Sequence, residues 1–326
     1  MRAIQIRAYG GPEEMQLVDL PITEPGPGQV RVRHHAIGVN FTDVYSRTGL
    51  YKSPLPLVLG AEAAGVVEAV GAGVAHVRAG DRVAYAARSQ GSYAEARTLD
   101  ATPVVRLPDA IDFERAAAMM LKGWTVMYLL RRTLPQGGLR AGEPILFHAA
   151  AGGVGLIACQ WAKALGLELI ATAGGAAKCE LALAHGAAHA IDYTREDVAK
   201  RVRELTGGKG VRVVYDSVGK DTWERSLDCL APLGLMVSYG NASGAVGPIE
   251  LLTLMQKGSL YVTRPTLGTH TATRESVEDM TRELFDVVTS GQVAIDVARR
   301  YPLERAADAH RDLEARKTTG SAILTV

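Results

Sequence analysis

The sequence predicts an α/β protein of two domains, a small barrel-like β domain and a doubly wound parallel sheet. Residues 1 to about 120 contain short strand-like runs separated by glycine turns, which is typical of a β domain. From Ile145 onward, apolar strands alternate with helical stretches, and this alternation indicates a parallel sheet with right-handed crossovers. A chain of 326 residues is long enough for both domains.

The β domain is predicted from three strand-like segments. Residues 29–36 alternate between apolar and polar, with Val30 and Val32 on one face, and residues 65–70 and 81–85 are further strands. The turns between them are marked by Gly71, Gly73, Gly80 and Gly91. Two helices are predicted next, over residues 113–121 and 125–132, and residues 134–138 break the second one.

The parallel sheet is predicted to contain six strands, which suits a full doubly wound fold. These strands are Ile145–Phe147, Leu169–Ala173, Ala190–Ile191, Val211–Tyr215, Leu235–Ser238 and Leu260–Val262. After Pro265 the alternation stops. Two helices, over residues 273–289 and 305–314, and a strand over 322–326 are expected to complete the first domain.

The stretch from Ile145 to Gly166 predicts a dinucleotide site. It joins a buried strand to a helix through small residues in the pattern Ala149-x-x-Gly152-x-x-Gly155. Small residues let the backbone approach a pyrophosphate, whose charge the N–H groups of a helix N-terminus stabilise. The pattern is not a strict G-x-G-x-x-G, so a small-residue turn that only packs a helix on a strand is the alternative.

The end of the second strand favours NADPH over NADH. An NAD site usually has Asp or Glu there to bind the ribose 2′-hydroxyl, but residues 169–175 contain no carboxylate. Lys178 follows one helical turn later, and a cation suits a 2′-phosphate. The alternative is that Lys178 is a solvated surface lysine.

Composition argues against several other classes. The formal net charge of +1 indicates neither nucleic acid nor a membrane surface as the main ligand. Cys159, Cys179 and Cys229 are far apart and indicate neither a disulfide framework nor a cysteine zinc site. No signal-peptide core or membrane-spanning run is visible, so the cytosol is expected. His34 and His35 are neighbours on a strand and cannot share one metal ion.

Several motifs together carry a resemblance that extends over essentially the whole chain. The sequence resembles the zinc-free NADPH:quinone oxidoreductases of the medium-chain dehydrogenase/reductase superfamily, especially the bacterial enzymes related to zeta-crystallin. Besides the glycine turn, the matching stretches are Gly38–Asp43, Gly60–Gly71, Ala79–Val83, Leu121–Gly123, Val213–Gly219 and Lys257–Pro265.

The resemblance implies a GroES-like β-barrel catalytic domain made of residues 1–123 and 266–326, with a Rossmann domain of residues 124–265 inserted. The cleft between them is expected to hold the nicotinamide. Around the adenosine 2′-phosphate we expect Gly174, Lys178, Tyr193 and Arg316. Other expected cofactor contacts are Asn40, Thr125, Tyr128, Gly152, Gly153, Val154, Gly155, Ser217, Tyr239, Gly240, Asn241, Arg264 and Pro265.

The expected substrate pocket consists of Asn40, Asp43, Tyr45, Tyr51 and Lys122. The three-residue spacing of Lys122, Thr125 and Tyr128 allows one helix face to present all three. Asp43 and Glu62 are expected to give polar support rather than to act as acids. No catalytic residue is assigned with certainty.

No metal is expected. The zinc alcohol dehydrogenases of this superfamily place Cys and His at two ligand positions, which here hold Asn40 and Ala61. The four-cysteine structural lobe is absent from the sequence as well. An amide and a methyl group do not replace the thiolate and imidazole ligands that zinc prefers.

The first functional hypothesis is two-electron reduction of a quinone by NADPH. A quinone stabilises its own developing anion, so orientation and exclusion of water are the main tasks of the enzyme. Reduction of an activated alkene, such as an enone, is the alternative and would profit from a positioned acid. A crystallin-like or RNA-binding protein that retains NADPH is the non-enzymatic alternative. A homodimer joined through the strand at residues 259–263 is also expected.

Overall fold

The computed structural model describes residues 1–134 and 137–326, which form two compact units. The first unit contains Met1–Trp124, His270–Thr289 and Ile295–Val326, and the second contains Thr125–Thr269 and Ser290–Ala294. These limits differ slightly from the predicted domain limits after residues 123 and 265, which stay a prediction. The predicted helix break over 134–138 includes residues 135 and 136, which lie outside the described residues.

The N-terminal part of the chain contains eight strands and two α-helices, and the second helix crosses the unit boundary after Trp124. The strands are β1 (Arg2–Ile6), β2 (Gln16–Asp19), β3 (Gln29–Val39), β4 (Leu57–Val58), β5 (Glu62–Val70), β6 (Arg82–Ala86), β7 (Ala96–Asp100) and β8 (Val105–Arg106). The helices are α1 (Phe41–Thr48) and α2 (Phe113–Arg132). Val30 and Val32 are fully buried, as the alternation in this segment predicts.

The second unit has the alternating elements that the sequence predicts. Its strands are β9 (Pro144–Phe147), β10 (Glu168–Ala173), β11 (His189–Asp192), β12 (Val211–Asp216), β13 (Leu230–Ser238) and β14 (Tyr261–Thr263). Its helices are α3 (Gly153–Ala164), α4 (Ala176–Ala184), α5 (Val198–Leu205), α6 (Trp223–Asp228) and α7 (Leu251–Gln256), and α8 (Leu267–His270) ends at the boundary.

Most of the C-terminal segment belongs to the first unit. It contains α9 (Arg274–Thr289), β15 (Val297–Pro302), α10 (Ala306–Glu314) and β16 (Ser321–Thr325). Strand β16 pairs antiparallel with β3, and Ile323 lies opposite Gly38. The seven-stranded sheet has the order β15-β16-β3-β5-β6-β8, with β7 also paired to β3, and a second sheet has the order β2-β1-β4.

The six strands of the second unit are all parallel and have the order β11-β10-β9-β12-β13-β14. This is the Rossmann order 3-2-1-4-5-6, in which the direction of winding reverses beside the first strand. Its ligands bind outside the carboxyl ends of the strands near this switch point, which lies here between β9 and β12. The predicted doubly wound fold is therefore confirmed.

Helix α2 corrects one prediction, because it is a single helix where the sequence predicted two. The first predicted helix ended at residue 121 and the second began at residue 125. In the structure Gly123 serves close packing: a Cβ atom there would lie 2.5 Å from Cδ1 of Leu284 in α9. Tertiary packing thus decides the conformation over the low helix propensity of glycine.

The described residues include no helix that is long and apolar enough to span a bilayer. The cytosolic location expected from the sequence stays a prediction.

Candidate functional site

The glycine turn joins β9 to α3 in the way a dinucleotide site requires. Gly152 precedes the helix, and Gly153, Val154 and Gly155 form its first turn. The first N–H groups of a helix have no partner within it, so they are available to an anion. A Cβ atom at Gly155 would lie 2.5 Å from three backbone atoms of Ala150, so only glycine allows this close contact between turn and helix.

The structure brings together three residues that were predicted to surround the 2′-phosphate. Gly174 follows β10 directly, and the ring of Tyr193 covers it, since a Cβ atom at Gly174 would lie 2.6 Å from the Tyr193 hydroxyl. Lys178 lies in the first turn of α4, where its backbone N–H donates to the Gly175 carbonyl at 3.2 Å. Arg316 belongs to the first unit, and its predicted contact with the phosphate stays a prediction.

Asp192 is a carboxylate at this corner that sequence reasoning missed. It ends β11, and its Oδ1 accepts from the backbone N–H of Gly175 at 2.9 Å. The same oxygen accepts from the backbone N–H of Thr194 at 3.0 Å and from its hydroxyl at 2.7 Å. Three donors therefore fix this carboxylate, and it ties the backbone at Gly175 to the residues that follow β11. Asp192 directly follows the predicted strand Ala190–Ile191, and this position in the sequence could have identified it.

The remaining predicted cofactor residues of this unit follow β12, β13 and β14. The loop at Ser217 touches the loop at Gly240, because a Cβ atom at Gly240 would lie 2.4 Å from the Ser217 carbonyl oxygen. Arg264 donates to the Ser238 carbonyl at 2.9 Å. With the Asn241 amide turned to satisfy both of its atoms, its oxygen accepts from Arg264 at 3.1 Å. Tyr239 packs 5.9 Å from the Phe147 ring, and Pro265 follows Arg264.

Two of the predicted substrate residues, Asn40 and Lys122, meet at Glu62, which is fully buried. One oxygen of Glu62 accepts from the Asn40 amide at 2.7 Å and from the Lys122 ammonium at 3.0 Å. The other accepts from the backbone N–H of Leu121 at 2.7 Å. Glu62 thus fixes the orientation of Asn40 and gives the buried charge of Lys122 its partner, which is the predicted supporting role.

Asp43 is buried beside this group. Its Oδ2 accepts from the Asn40 backbone N–H at 2.9 Å and from the Tyr93 hydroxyl at 3.1 Å. The Tyr93 hydroxyl also lies 3.0 Å from Nε2 of His310. Burial raises the pKa of Asp43 to about 7, and the charge of Glu62 adds to the effect. The carboxyl is therefore a supporting group that titrates near neutral pH.

We expect Asp43→Asn to change how stability depends on pH. The pKa of Asp43 is about 7 in the folded state and 3.8 for an unperturbed Asp side chain, so between about pH 4 and 7 the folded state binds the extra proton. Stability therefore falls as the pH rises through this range, by at most about 4 kcal/mol. The variant has no such group to titrate. Its free energy of unfolding should therefore rise relative to that of the wild type between pH 4 and 8.

Urea unfolding of both proteins at several pH values measures the difference. The pKa of His310, lowered to about 3 by burial, gives stability that is lost as the pH falls, but this contribution is present in both proteins. Parallel stability profiles from pH 4 to 8 would contradict the raised pKa of Asp43.

Tyr45 and Tyr51 contact each other at the end of α1. Their ring centroids are 5.2 Å apart in an edge-to-face arrangement, and the Tyr51 N–H donates to the Tyr45 carbonyl at 3.0 Å. Tyr45 is 8% exposed and Tyr51 is 41% exposed, so the pair reaches from the core to the surface. Gly49, with φ of 79°, ends the helix and allows the chain to turn back.

Lys122, Thr125 and Tyr128 lie on α2 at the predicted three-residue spacing. All three are buried, with exposed fractions of 3–6%. The unit boundary passes between Lys122 and the other two, so each role is considered within its own unit.

The two positions that hold zinc ligands in related dehydrogenases carry an amide bound to Glu62 and the methyl group of Ala61. His34 bonds to the Ala94 carbonyl and the Tyr85 hydroxyl, whereas His35 stacks on Phe113 at 4.4 Å. Over residues 1–134 and 137–326 no three His, Cys, Asp or Glu side chains cluster as a metal site. The metal-free protein stays a prediction.

Comparisons with known proteins agree with this architecture. The family model "Alcohol dehydrogenase GroES-like domain" matches residues 26–109, and the model "Zinc-binding dehydrogenase" matches residues 153–286. Quinone oxidoreductase of Pseudomonas aeruginosa is 57% identical over 324 residues, which is 99% of each chain. 2-haloacrylate reductase of a Burkholderia species is 43% identical over 330 residues, which is 99% of this chain and 98% of that protein.

A solved structure is similar along the whole length. The crystal structure of Escherichia coli quinone oxidoreductase complexed with NADPH has a TM-score of 0.98 to this chain at 52% identity, and 100% of both chains is covered. The GroES-like and Rossmann-type folds expected from the sequence are therefore confirmed.

Proposed function

This chain belongs to the quinone oxidoreductases of the medium-chain dehydrogenase/reductase superfamily, and we propose that it reduces quinones with NADPH as the hydride donor. The observation that carries the proposal is the corner formed by Gly174, Lys178 and Tyr193 beside the glycine turn. It offers helix N-termini and a cation to phosphate groups, while Asp192 is engaged in three hydrogen bonds. The residues present therefore suit NADPH.

The chemistry divides between the cofactor and the protein. NADPH supplies the hydride when bound, and a quinone then needs one proton from the medium to become a hydroquinone. The protein orients the reactants and excludes water. In this proposal Glu62 holds the amide of Asn40, and the Tyr45–Tyr51 pair provides an aromatic wall, with Asp43 and Lys122 as buried support.

We predict that Lys178→Ala weakens NADPH binding about 10- to 100-fold, because a hydrogen bond to a charged group contributes about 1.5–3 kcal/mol. NADH lacks the 2′-phosphate, and its affinity should barely change. Fluorescence titration with both cofactors measures the effect. Lys200→Ala, which removes an exposed lysine from α5 of the same unit, is the matched control. Equal weakening of both cofactors would show that Lys178 does not bind the phosphate.

Reduction of an activated alkene is the second candidate function. It is favoured by the 43% identity to a 2-haloacrylate reductase and by the buried carboxyl of Asp43, since addition of a proton at carbon profits from an acid. NADPH oxidation measured with benzoquinones, naphthoquinones, enones and 2-haloacrylates tests both functions. We expect the highest kcat/KM for a quinone, and a higher value for an alkene would reverse the assignment.

We propose that two copies associate through the second unit. Strand β14 is the edge of its sheet, and Tyr261 on it is 61% exposed. Neighbouring apolar side chains are exposed as well: Leu233 by 62%, Leu251 by 74% and Met255 by 60%. An apolar edge of this kind is prone to pair with another strand, and a two-fold partner covers it with the same strand.

We predict that Tyr261→Arg shifts the dimer towards monomer at micromolar concentration, because two added charges would meet across the two-fold axis. Light scattering measures the mass of each protein. Leu17→Arg is the control. Leu17 is 45% exposed on β2, which is an edge strand of the three-stranded sheet in the first unit. A wild-type monomer under the same conditions, or equal masses for all three proteins, would refute this interface.

A further inference from the structure

A chain of buried hydrogen bonds crosses the carboxyl ends of three strands in the second unit. It connects His148, which follows β9, with Thr172 of β10, Ser226 of α6 and Asp216 at the end of β12. His148 Nδ1 lies 2.8 Å from the Thr172 hydroxyl, and Nε2 lies 2.9 Å from the Ser226 hydroxyl. The Ser226 hydroxyl in turn donates to Asp216 Oδ2 at 2.7 Å. All four residues are at most 2% exposed.

The direction of each hydrogen bond in this chain can be deduced. A carboxylate only accepts, so the single proton of the Ser226 hydroxyl goes to Asp216. His148 Nε2 must then donate to Ser226, and its other nitrogen accepts from Thr172 if the ring is neutral. Burial lowers the pKa of His148, which keeps the ring neutral. All donors thus point along one direction towards Asp216, an arrangement in which neighbouring hydrogen bonds strengthen one another.

Asp216 also holds the backbone of the loop that follows β12, at the carboxyl end of the sheet. Its Oδ1 accepts from the backbone N–H groups of Val218 at 2.7 Å and Gly219 at 3.0 Å, which wraps the backbone around Ser217. The Ser217 carbonyl then accepts from the Ala242 N–H at 3.1 Å. The loop after β12 is therefore tied to the loop after β13, where further proposed cofactor residues lie.

The other end of the chain reaches the glycine turn. His148 is followed directly by Ala149, whose φ of 53° is unusual for a residue with a side chain, and this residue begins the turn. The backbone N–H of His148 donates to the Tyr215 carbonyl at 3.0 Å, next to Asp216. Ala150 donates to the Thr172 carbonyl at 3.1 Å. The same four side chains therefore connect the start of the glycine turn after β9 with the start of the Ser217 loop after β12.

We propose that His148, Ser226 and Asp216 are positioning residues for the NADPH site: their hydrogen bonds set the spacing between the glycine turn and the Ser217 loop. The inference depends on the proposed function, because it assigns both loops to the cofactor. None of the three side chains reaches the surface, so each acts through the backbone of the loops. A neutral His148 with its proton on Nε2 is the protonation state that the network requires.

The test removes one link with little change in volume. Ser226→Ala is expected to raise the Kd for NADPH about 10-fold, while kcat at saturating NADPH stays within about threefold, since cofactor placement and not chemistry is disturbed. Thr206→Val is the matched control. Its hydroxyl holds the turn before β12 in the same unit, where it accepts from the Gly210 N–H at 2.9 Å. This control should lower Tm without changing the Kd.

Nitrogen NMR of the His148 ring in the wild type gives a second readout that loss of stability alone would not produce. We expect a neutral ring with its proton on Nε2 from about pH 6 to 8. A proton on Nδ1, an unchanged Kd in Ser226→Ala, or an equal rise of Kd in Thr206→Val would each overturn the positioning role. If the wild type itself fails to bind NADPH, the proposed function fails and this inference fails with it.

Discussion

Gly155→Ala should reduce NADPH affinity by at least about 100-fold, the largest loss of binding that we expect from a single methyl group. The added Cβ atom would lie 2.5 Å from the backbone of Ala150, and backbone atoms cannot rotate away as a side chain can. Helix α3 must shift to relieve the overlap, and such overpacking typically costs about 1–3 kcal/mol in stability. The shift also moves the first N–H groups of α3 away from the phosphate position.

Gly247→Ala is the control in the same unit. A Cβ atom there would meet nothing within 4 Å, so the added methyl group fits without a shift. Gly247 does not have a positive φ, so its backbone conformation is accessible to alanine. Titration with NADPH, together with Tm for both variants, separates binding from folding. Equal affinities for the two variants would contradict a role for the close contact at Gly155.

The alternation of strands and helices along the chain and the glycine turn could be predicted because they depend on short-range patterns. Short apolar runs alternate with helical spacing in the second unit, and small residues mark the turn after β9. The same kind of local pattern singled out Gly174, which directly follows the second strand, and Lys178, which lies in the first turn of the next helix. Their contact with a 2′-phosphate stays a prediction. Within such stretches, backbone preference and burial indicate the same structure.

The hydrogen-bond partners of the polar groups that support the site could not be predicted, because they are far apart in the chain. Tyr93 joins Asp43 to His310, although 217 positions separate Tyr93 from the histidine. The raised pKa of Asp43 depends on complete burial, which no local pattern reveals. Gly123 shows the same limit for the backbone, since α2 continues through it and the Leu284 side chain that packs against it is 161 positions later in the chain.

The buried Glu62–Lys122 pair should give the largest loss of stability among the single substitutions considered. Both side chains are at most 6% exposed, and their N–O distance is 3.0 Å. Glu62→Gln leaves the Lys122 ammonium in the core without its countercharge, and breaking a buried pair in this way costs about 3–5 kcal/mol. The same change at Glu114, whose pair with Arg300 is 39–53% exposed, should cost less than about 1 kcal/mol.

The double variant Glu62→Gln, Lys122→Met distinguishes two contributions to stability. One is the attraction within the ion pair, and the other is the cost of burying an unpaired ammonium group. Replacing both charges removes the buried ammonium, so the double variant should be more stable than Glu62→Gln alone, by about 2 kcal/mol or more. The glutamine oxygen can still accept from the Asn40 amide, which keeps the orientation of Asn40, while the Leu121 N–H loses its acceptor in both variants. Urea unfolding of the wild type, both single variants and the double variant completes the cycle. If the double variant loses as much as the sum of the two single variants, the residues act independently, and the pair does not hold this part of the site together.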